Sequence, residues 1–157
     1  MKQLKGKASN SKMASIMTLA NTLLFRKRTN LAVALRREFM ERAVIGSGVR
    51  HGDMANFYGW SRVCWNQSIS ADLNMRVFEG AANGCCVVTD PAIGMKELFG
   101  DSVVTYPRNA EAEQVIETID RVLVDGSWRD YGERARKICL DKHMYKHRVA
   151  RVLEVMS

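Results

Sequence analysis

The sequence lacks the cysteine and histidine patterns of a metal-binding protein. None of its four cysteines belongs to a C-x-x-C motif, and none is paired with a histidine at metal-ligand spacing. Cys85 and Cys86 are adjacent in an apolar run, which predicts small side chains buried in a strand. His143 and His147 lie four residues apart, but no carboxylate or cysteine is suitably placed to complete a site. We therefore predict free thiols in a reducing compartment, with no metal and no cofactor.

Phosphate-binding signatures and long apolar segments are also missing. Neither the dinucleotide fingerprint G-x-G-x-x-G nor a Walker A loop occurs. The longest apolar run, MASIMTLANTLLF, has thirteen residues, whereas a membrane-spanning helix needs about 20. RKR follows the run directly, and no small-residue cleavage site ends it. We predict a cytoplasmic protein, with a secretory signal peptide and an organellar transit peptide as the alternatives.

Acidic residues are scarce in the first third of the chain. Residues 1–50 hold eleven lysines and arginines but two acids, whereas the remaining 107 residues hold thirteen basic and fifteen acidic residues. The net charge of +7 therefore comes from the N-terminal part. Such asymmetry predicts an anionic partner, which would be nucleic acid, an anionic membrane surface or phosphate groups. The alternative is a basic helix face that is simply solvated.

What the sequence does contain is enough for one α/β domain. Its 157 residues match the usual size of a single domain. We divide it into a flexible basic lead-in over residues 1–12 and one domain over 13–157. Apolar residues recur at helical spacing near the start of that domain, which predicts basic amphipathic helices over residues 13–42.

Short apolar runs then alternate with segments of helical periodicity. Strands are predicted in ERAVIGSGV, RVCWN, CCVVTD and SVVTYP, and CCVVTD is typical of a strand buried on both faces of a parallel sheet. Helices are predicted at 73–82, 93–99, 110–124, 128–140 and 144–156, and the first of these ends at Asn83-Gly84. This alternation is typical of the α/β class with a small parallel sheet.

The loop after the second predicted strand is a candidate ligand site. In an open parallel sheet, ligands bind outside the carboxyl ends of the strands, next to the helices that follow. The segment QSISADLN connects the strand ending at Asn66 to the helix that carries Arg76 and Glu79. A helix N-terminus offers free N–H groups and a partial positive charge, which together bind phosphate.

Spacing alone also allows a purely structural interpretation of the same residues. Asp72 could cap the helix, and Arg76 could form an ion pair with Glu79 three residues later. The residue pattern by itself leaves both interpretations open.

The segment DLNMRVFEGAANGCCVVTD, followed by GMKELFG, resembles the nucleotide-sugar half of a GT-B glycosyltransferase. The similarity is greatest to the CgeB-like, or spore-maturation, branch of the group 1 enzymes, and it includes FYGWSRVCWN upstream and HMYKHRVARVLEVM at the end. It extends from about Val44 to Met156. The resemblance implies a Rossmann-like, three-layer α/β/α domain with C-terminal helices, and it implies a nucleoside diphosphate sugar as ligand.

The resemblance also implies roles for particular residues. Glu79 matches the glutamate that binds the ribose hydroxyls, and the loop that matches Asp72–Arg76 lies against the diphosphate. Retaining members carry a second glutamate eight positions earlier, where this chain has Ala71. No catalytic residue follows from the resemblance. The candidate binding residues are Ser70, Asp72, Asn74, Met75, Arg76 and Glu79.

A GT-B enzyme has two Rossmann-like domains, with the active site between them. Only about forty residues precede the matched region here. We therefore expect a donor-binding domain whose acceptor domain is missing and is supplied by a separate subunit or a homodimer. The alternatives are a non-catalytic module that binds nucleotide, nucleic acid or another anion, and a truncated gene product.

Overall fold

This computed structural model describes residues 30–39, 50–68 and 71–157. Two units divide the chain, residues 1–45 and 46–157. In the first unit, residues 30–39 form helix α1, in which Leu31, Leu35 and Phe39 are buried at a spacing of four residues. Three predictions lie outside the described residues. They are the flexible lead-in, the rest of the helices over 13–42, and the strand in ERAVIGSGV.

The second unit begins with a 3-10 turn at His51–Asp53 and continues as alternating helices and strands. In chain order, the elements are α2 (Met54–Gly59), β1 (Val63–Asn66), α3 (Met75–Ala82), β2 (Cys86–Thr89), α4 (Met95–Phe99), β3 (Val104–Thr105), α5 (Ala112–Val124), α6 (Trp128–Ile138), a π-helical turn (Cys139–His143) and α7 (Tyr145–Met156). The predicted helices from α3 onward are confirmed, with bounds within two residues of those predicted.

The three strands form a parallel sheet in the order β1-β2-β3. Val63 pairs with Cys86 and Asn66 with Thr89, while Val88 of β2 pairs with Val104 of β3. All four residues of β2 are fully buried, because this strand has a neighbour on each side and helices above and below. The predicted α/β class and parallel sheet are therefore confirmed.

Helices cover both faces of the sheet. One face carries the main apolar cluster, which joins β2 to α3, α4, α6 and the π-helical turn; its buried members are Val77, Ala81, Val87, Met95, Phe99, Val103, Ala135 and Cys139. On the other face, Arg121 and Asp125 of α5 lie close enough to Cys86 to influence its pKa. This is the predicted Rossmann-like three-layer arrangement.

Two glycines allow helices to approach the sheet closely. A Cβ atom on Gly80 of α3 would lie 3.2 Å from the Cβ and Sγ atoms of Cys64 and from a methyl group of Val87. On α6, a Cβ atom on Gly132 would overlap the backbone carbonyl of Gly84. Gly84 itself has φ +83° in the turn between α3 and β2, which is a backbone conformation that glycine adopts without strain. The contact between α6 and the turn before β2 therefore requires a residue without a side chain at position 132.

The buried thiols are held in their neutral form. All four cysteines are free. Burial raises the pKa of Cys64, Cys85 and Cys86 from 9.0 to about 12, because each thiolate would be poorly solvated. Cys85 and Cys86 are both buried, as predicted, but only Cys86 belongs to β2, and Cys85 directly precedes the strand.

Replacing Gly132 by alanine tests the close approach of α6. We expect Gly132→Ala to lower the free energy of unfolding by about 3 kcal/mol, since the added methyl group meets backbone that cannot rotate away. Gly59→Ala is the matched control, because a Cβ atom there meets nothing within 4 Å. Urea unfolding followed by circular dichroism measures both. Equal stability of the two variants would contradict this account of α6 packing.

The raised thiol pKa values predict a loss of stability at alkaline pH. In the unfolded chain the thiols ionise near pH 9, whereas in the folded protein they stay neutral until about pH 12. Their contribution to stability is therefore complete below pH 9 and is lost as the pH rises from 9 towards 12. We expect Cys86→Ala to reduce the slope of unfolding free energy against pH in this range, relative to the wild-type protein. Parallel curves for the two proteins would show that Cys86 ionises equally in both states.

Candidate functional site

Polar side chains collect at the carboxyl edge of the sheet, where β1 and β2 end. Asn66 and Thr89 are both buried, and Asn66 Nδ2 donates a hydrogen bond to Thr89 Oγ1 at 2.9 Å. Asn74 Nδ2 donates in turn to Asn66 Oδ1 at 3.1 Å. This amide chain fixes the start of α3 against the sheet edge.

The same Asn74 caps helix α3. Its side-chain oxygen accepts a hydrogen bond from Arg76 N at 3.1 Å, and its backbone is extended, with φ −88° and ψ 165°. The structural interpretation that placed the cap at Asp72 is therefore wrong, and Asp72 is an exposed loop residue. Asparagine fits here because one amide group can accept from the helix while donating to Asn66.

The remaining predicted residues of the helix start are open to solvent. Met75, the first residue of α3, is 44% exposed, and Arg76 is exposed. Arg76 N and Val77 N already donate to the cap residue. Within the described part of the chain, Met75 N has no hydrogen-bond acceptor, so it is the N–H group of this turn that remains available to an anion.

The loop before the helix is held in an unusual conformation. Ala71 has φ 61°, the left-handed region that side chains other than glycine rarely adopt. Its carbonyl oxygen accepts a hydrogen bond from Ile93 N at 3.0 Å, which joins this loop to the loop between β2 and α4. Ser70, predicted as a binding residue, lies outside the described residues.

Glu79 lies one turn into α3 with a half-buried side chain. Its Oε2 atom accepts a hydrogen bond from the hydroxyl group of Tyr58 at 3.3 Å. The alternative of an Arg76–Glu79 ion pair is wrong, because neither residue belongs to any of the three ion pairs found over residues 30–39, 50–68 and 71–157. The charges of Arg76 and Glu79 do not neutralise each other, so each could interact with a ligand.

A second polar group at this edge was missed by sequence reasoning. The carboxylate of Asp90, only 2% exposed, accepts hydrogen bonds from Ser68 N at 2.7 Å and from Ser68 Oγ at 2.6 Å. Arg108 Nη2 lies 3.5 Å from the same carboxylate and donates to Pro91 O at 2.6 Å. Asp90 follows β2 and Arg108 follows β3. Because parallel strands end at the same edge of a sheet, the sequence could have been used to predict that these two residues lie close together.

Tyr106, which follows β3, adds two hydrogen bonds at the same edge. Trp65 Nε1 donates to its hydroxyl oxygen at 3.1 Å, and that hydroxyl donates to Asn66 O at 2.8 Å. The outer strands β1 and β3 are thereby connected across β2. The ends of the three strands are consequently fixed relative to one another.

The two histidines spaced four residues apart have separate structural roles. The ring of His143 packs against both Phe78 and Phe99, with centroid distances of 5.8 and 5.7 Å. His147 Nδ1 accepts a hydrogen bond from Met144 N at 3.2 Å at the start of α7. No group of three or more His, Cys, Asp or Glu side chains in the described ranges is arranged to hold a metal ion.

Comparisons with known proteins gave one match. The model of a family described as glycosyl transferase-like matches residues 21–154, which are 134 of the 157 residues. No curated protein and no solved structure matched the chain. Across the described residues, none of the helices is long and apolar enough to cross a membrane.

A double-mutant cycle tests whether Asp90 and Arg108 hold the site edge together. We expect Asp90→Asn and Arg108→Gln each to lower the free energy of unfolding by about 1–2 kcal/mol, with a coupling energy of about 1 kcal/mol. The half-exposed side chain of Arg108 keeps this coupling modest. Chemical denaturation of the four proteins of the cycle measures it.

The matched control is Asp130 and Arg134 on α6, an exposed pair at 3.1 Å. We expect its coupling energy to be about 0.3–0.5 kcal/mol. If the Asp90–Arg108 coupling is no larger than this, the buried carboxylate does not depend on Arg108.

Proposed function

The chain belongs to the glycosyl transferase-like family, and we propose that residues 46–157 bind a nucleoside diphosphate sugar as the donor for glycosyl transfer. Family membership supports glycosyl transfer in general. The position of the donor site is our inference from the carboxyl edge of the parallel sheet, where ligands of such folds bind.

The observation that carries the proposal is the state of Glu79. Its carboxylate is half-buried, has no cationic partner among the described residues, and is held through one oxygen by Tyr58. A carboxylate in this state can accept two hydrogen bonds from vicinal hydroxyl groups, as a ribose offers. We assign Glu79 to the ribose.

The diphosphate is assigned to the start of α3. Met75 N has no acceptor among the described residues, the helix end carries a partial positive charge, and the exposed Arg76 supplies a full one. Asn74 orients this turn, while Asp72 and Ser70 belong to the loop that would enclose the ligand. Positive charge here would stabilise the diphosphate leaving group as the bond to the sugar C1 breaks.

The finer features of this proposal are those that the resemblance implied. They are membership of the CgeB-like branch, the role of a GT-B donor half, and an acceptor domain from a separate subunit or a homodimer. A donor half alone would lack the closed, water-free cleft in which transfer occurs. A cytoplasmic location, and binding of nucleic acid or an anionic membrane through the basic residues 13–42, stay predictions.

Nucleotide titration of residue 79 variants tests the donor site. We expect UDP or GDP, or one of their sugars, to bind the wild-type protein. Glu79→Gln keeps the side-chain shape but replaces a charged acceptor, so it should weaken binding about tenfold to a hundredfold. Isothermal titration calorimetry with each nucleotide measures the dissociation constants.

Glu117→Gln is the matched control, because Glu117 is an exposed glutamate in the middle of α5. It should leave the affinity unchanged. Absence of binding to every nucleotide at millimolar concentration would contradict the donor-binding function, and unchanged binding in Glu79→Ala would contradict the site. A salt-dependent interaction with nucleic acid, together with no nucleotide binding, would instead favour the non-catalytic alternative.

A further inference from the structure

Tyr58 is a buried tyrosine whose hydroxyl group reaches the candidate site. It is the buried residue of α2, with 7% of its surface exposed. Its hydroxyl donates to Glu79 Oε2 across 21 residues of sequence. Its backbone is also fixed, since Tyr58 O accepts from the thiol of Cys85 at 3.0 Å, at the entry to β2. A rigid element therefore presents this hydroxyl to the carboxylate.

The geometry points to Tyr58 as the residue that positions Glu79 for a ribose diol. This inference rests on the proposed function, because it concerns the same carboxylate. Tyr58 holds Oε2, and over the described residues no hydrogen bond to Oε1 is found, so that oxygen remains available to a ligand hydroxyl. Oε2 keeps a second lone pair for the neighbouring hydroxyl.

Tyr58 also keeps two opposite charges apart. Arg76 and Glu79 are separated by three residues on one helix, a spacing at which an arginine and a carboxylate readily pair. The described structure contains no such pair, because the carboxylate is drawn to Tyr58 instead. Arg76 is thus left for the diphosphate while Glu79 is left for the ribose. Removing the hydroxyl allows the two side chains to neutralise each other.

The hydroxyl is a permanent donor at this site. Burial raises the pKa of Tyr58, and the neighbouring Cys64 and Glu79 raise it further, while Arg76 opposes them. The phenol therefore stays protonated throughout the neutral and mildly alkaline range. Oε2 of Glu79 is the acceptor that the structure provides for this hydroxyl group.

The expected ligand class is consequently a ribonucleoside diphosphate rather than its deoxy counterpart. Both hydroxyl groups of the ribose are needed to use both oxygens of the positioned carboxylate. A site built to accept such hydrogen bonds discriminates against analogues that lack the hydroxyl groups, because a half-buried acceptor is then left unpaired.

Tyr58→Phe tests this inference, because it removes the hydroxyl and keeps the ring. We expect it to weaken binding of the nucleoside diphosphate that the wild-type protein prefers by about tenfold. The affinity for its 2′,3′-dideoxy analogue should fall less, because that ligand makes no contact with Glu79 and loses only part of the Arg76 charge. Combined with Glu79→Gln, it should add little further loss, since both changes remove the same interaction. Tyr145→Phe, on the exposed face of α7, is the matched control and should change neither affinity.

Two results would overturn the positioning role while leaving the donor site intact. The first is an unchanged affinity in Tyr58→Phe when Glu79→Gln weakens binding. The second is an equal loss for the ribose and dideoxy ligands, which would indicate a general structural role. Failure of the donor proposal is distinct, because the wild-type protein would then bind no nucleotide.

A measurement on the ligand-free protein tests the hydrogen bond between Tyr58 and Glu79, whether or not the protein binds nucleotides. The side-chain carboxyl carbon of Glu79 can be observed by NMR in the ligand-free protein. We expect Tyr58→Phe to shift this resonance and Tyr145→Phe to leave it in place. An unshifted resonance in Tyr58→Phe would overturn the inference whether or not nucleotides bind.

Discussion

The structure of residues 46–157 depends on the burial of β2 between two parallel neighbours. Every side chain of this strand is fully buried, so its two faces must each be covered by a helical layer. Because β1 and β3 run in the same direction as β2, their carboxyl ends meet at one edge. The polar residues that follow the three strands are therefore brought together by backbone pairing. The candidate site exists at this edge because the core has this topology.

At that edge, side-chain hydrogen bonds fix the positions of the loops and of the helix start that follow the strands. The chain from Thr89 through Asn66 to Asn74 fixes the start of α3, and Asp90 fixes the loop that leaves β1. The side chains of these residues form hydrogen bonds with one another or with the loop backbone, so their role is structural. Arg76 and Glu79, in contrast, remain without an ionic partner in the described structure. This difference between paired polar groups and charges without an ionic partner supports the proposed ligand site.

Sequence reasoning identified the elements of the fold well because their signals are local. The apolar run CCVVTD indicated a strand buried on both faces, and Asn83-Gly84 ends α3 as predicted, with Gly84 at positive φ. It could not identify the contacts that join distant residues. Tyr58 meets Glu79 across 21 positions, and Trp65 meets Tyr106 across 41. The cap at Asn74 was missed for a similar reason, since its second hydrogen bond to Asn66 favours it over Asp72 and depends on the folded sheet.

The left-handed backbone of Ala71 couples two loops mechanically. This conformation costs about 1–3 kcal/mol for a residue with a side chain and persists only while its surroundings enforce it. The hydrogen bond from Ile93 is one such constraint, and it comes from the loop that leaves β2. Loss of this hydrogen bond would remove one constraint on the strained backbone of Ala71, three residues before the cap of α3. The hydrogen bond between Ile93 N and Ala71 O therefore connects the loop that leads into α3 with the loop that follows β2, so a displacement of either loop is opposed by the other.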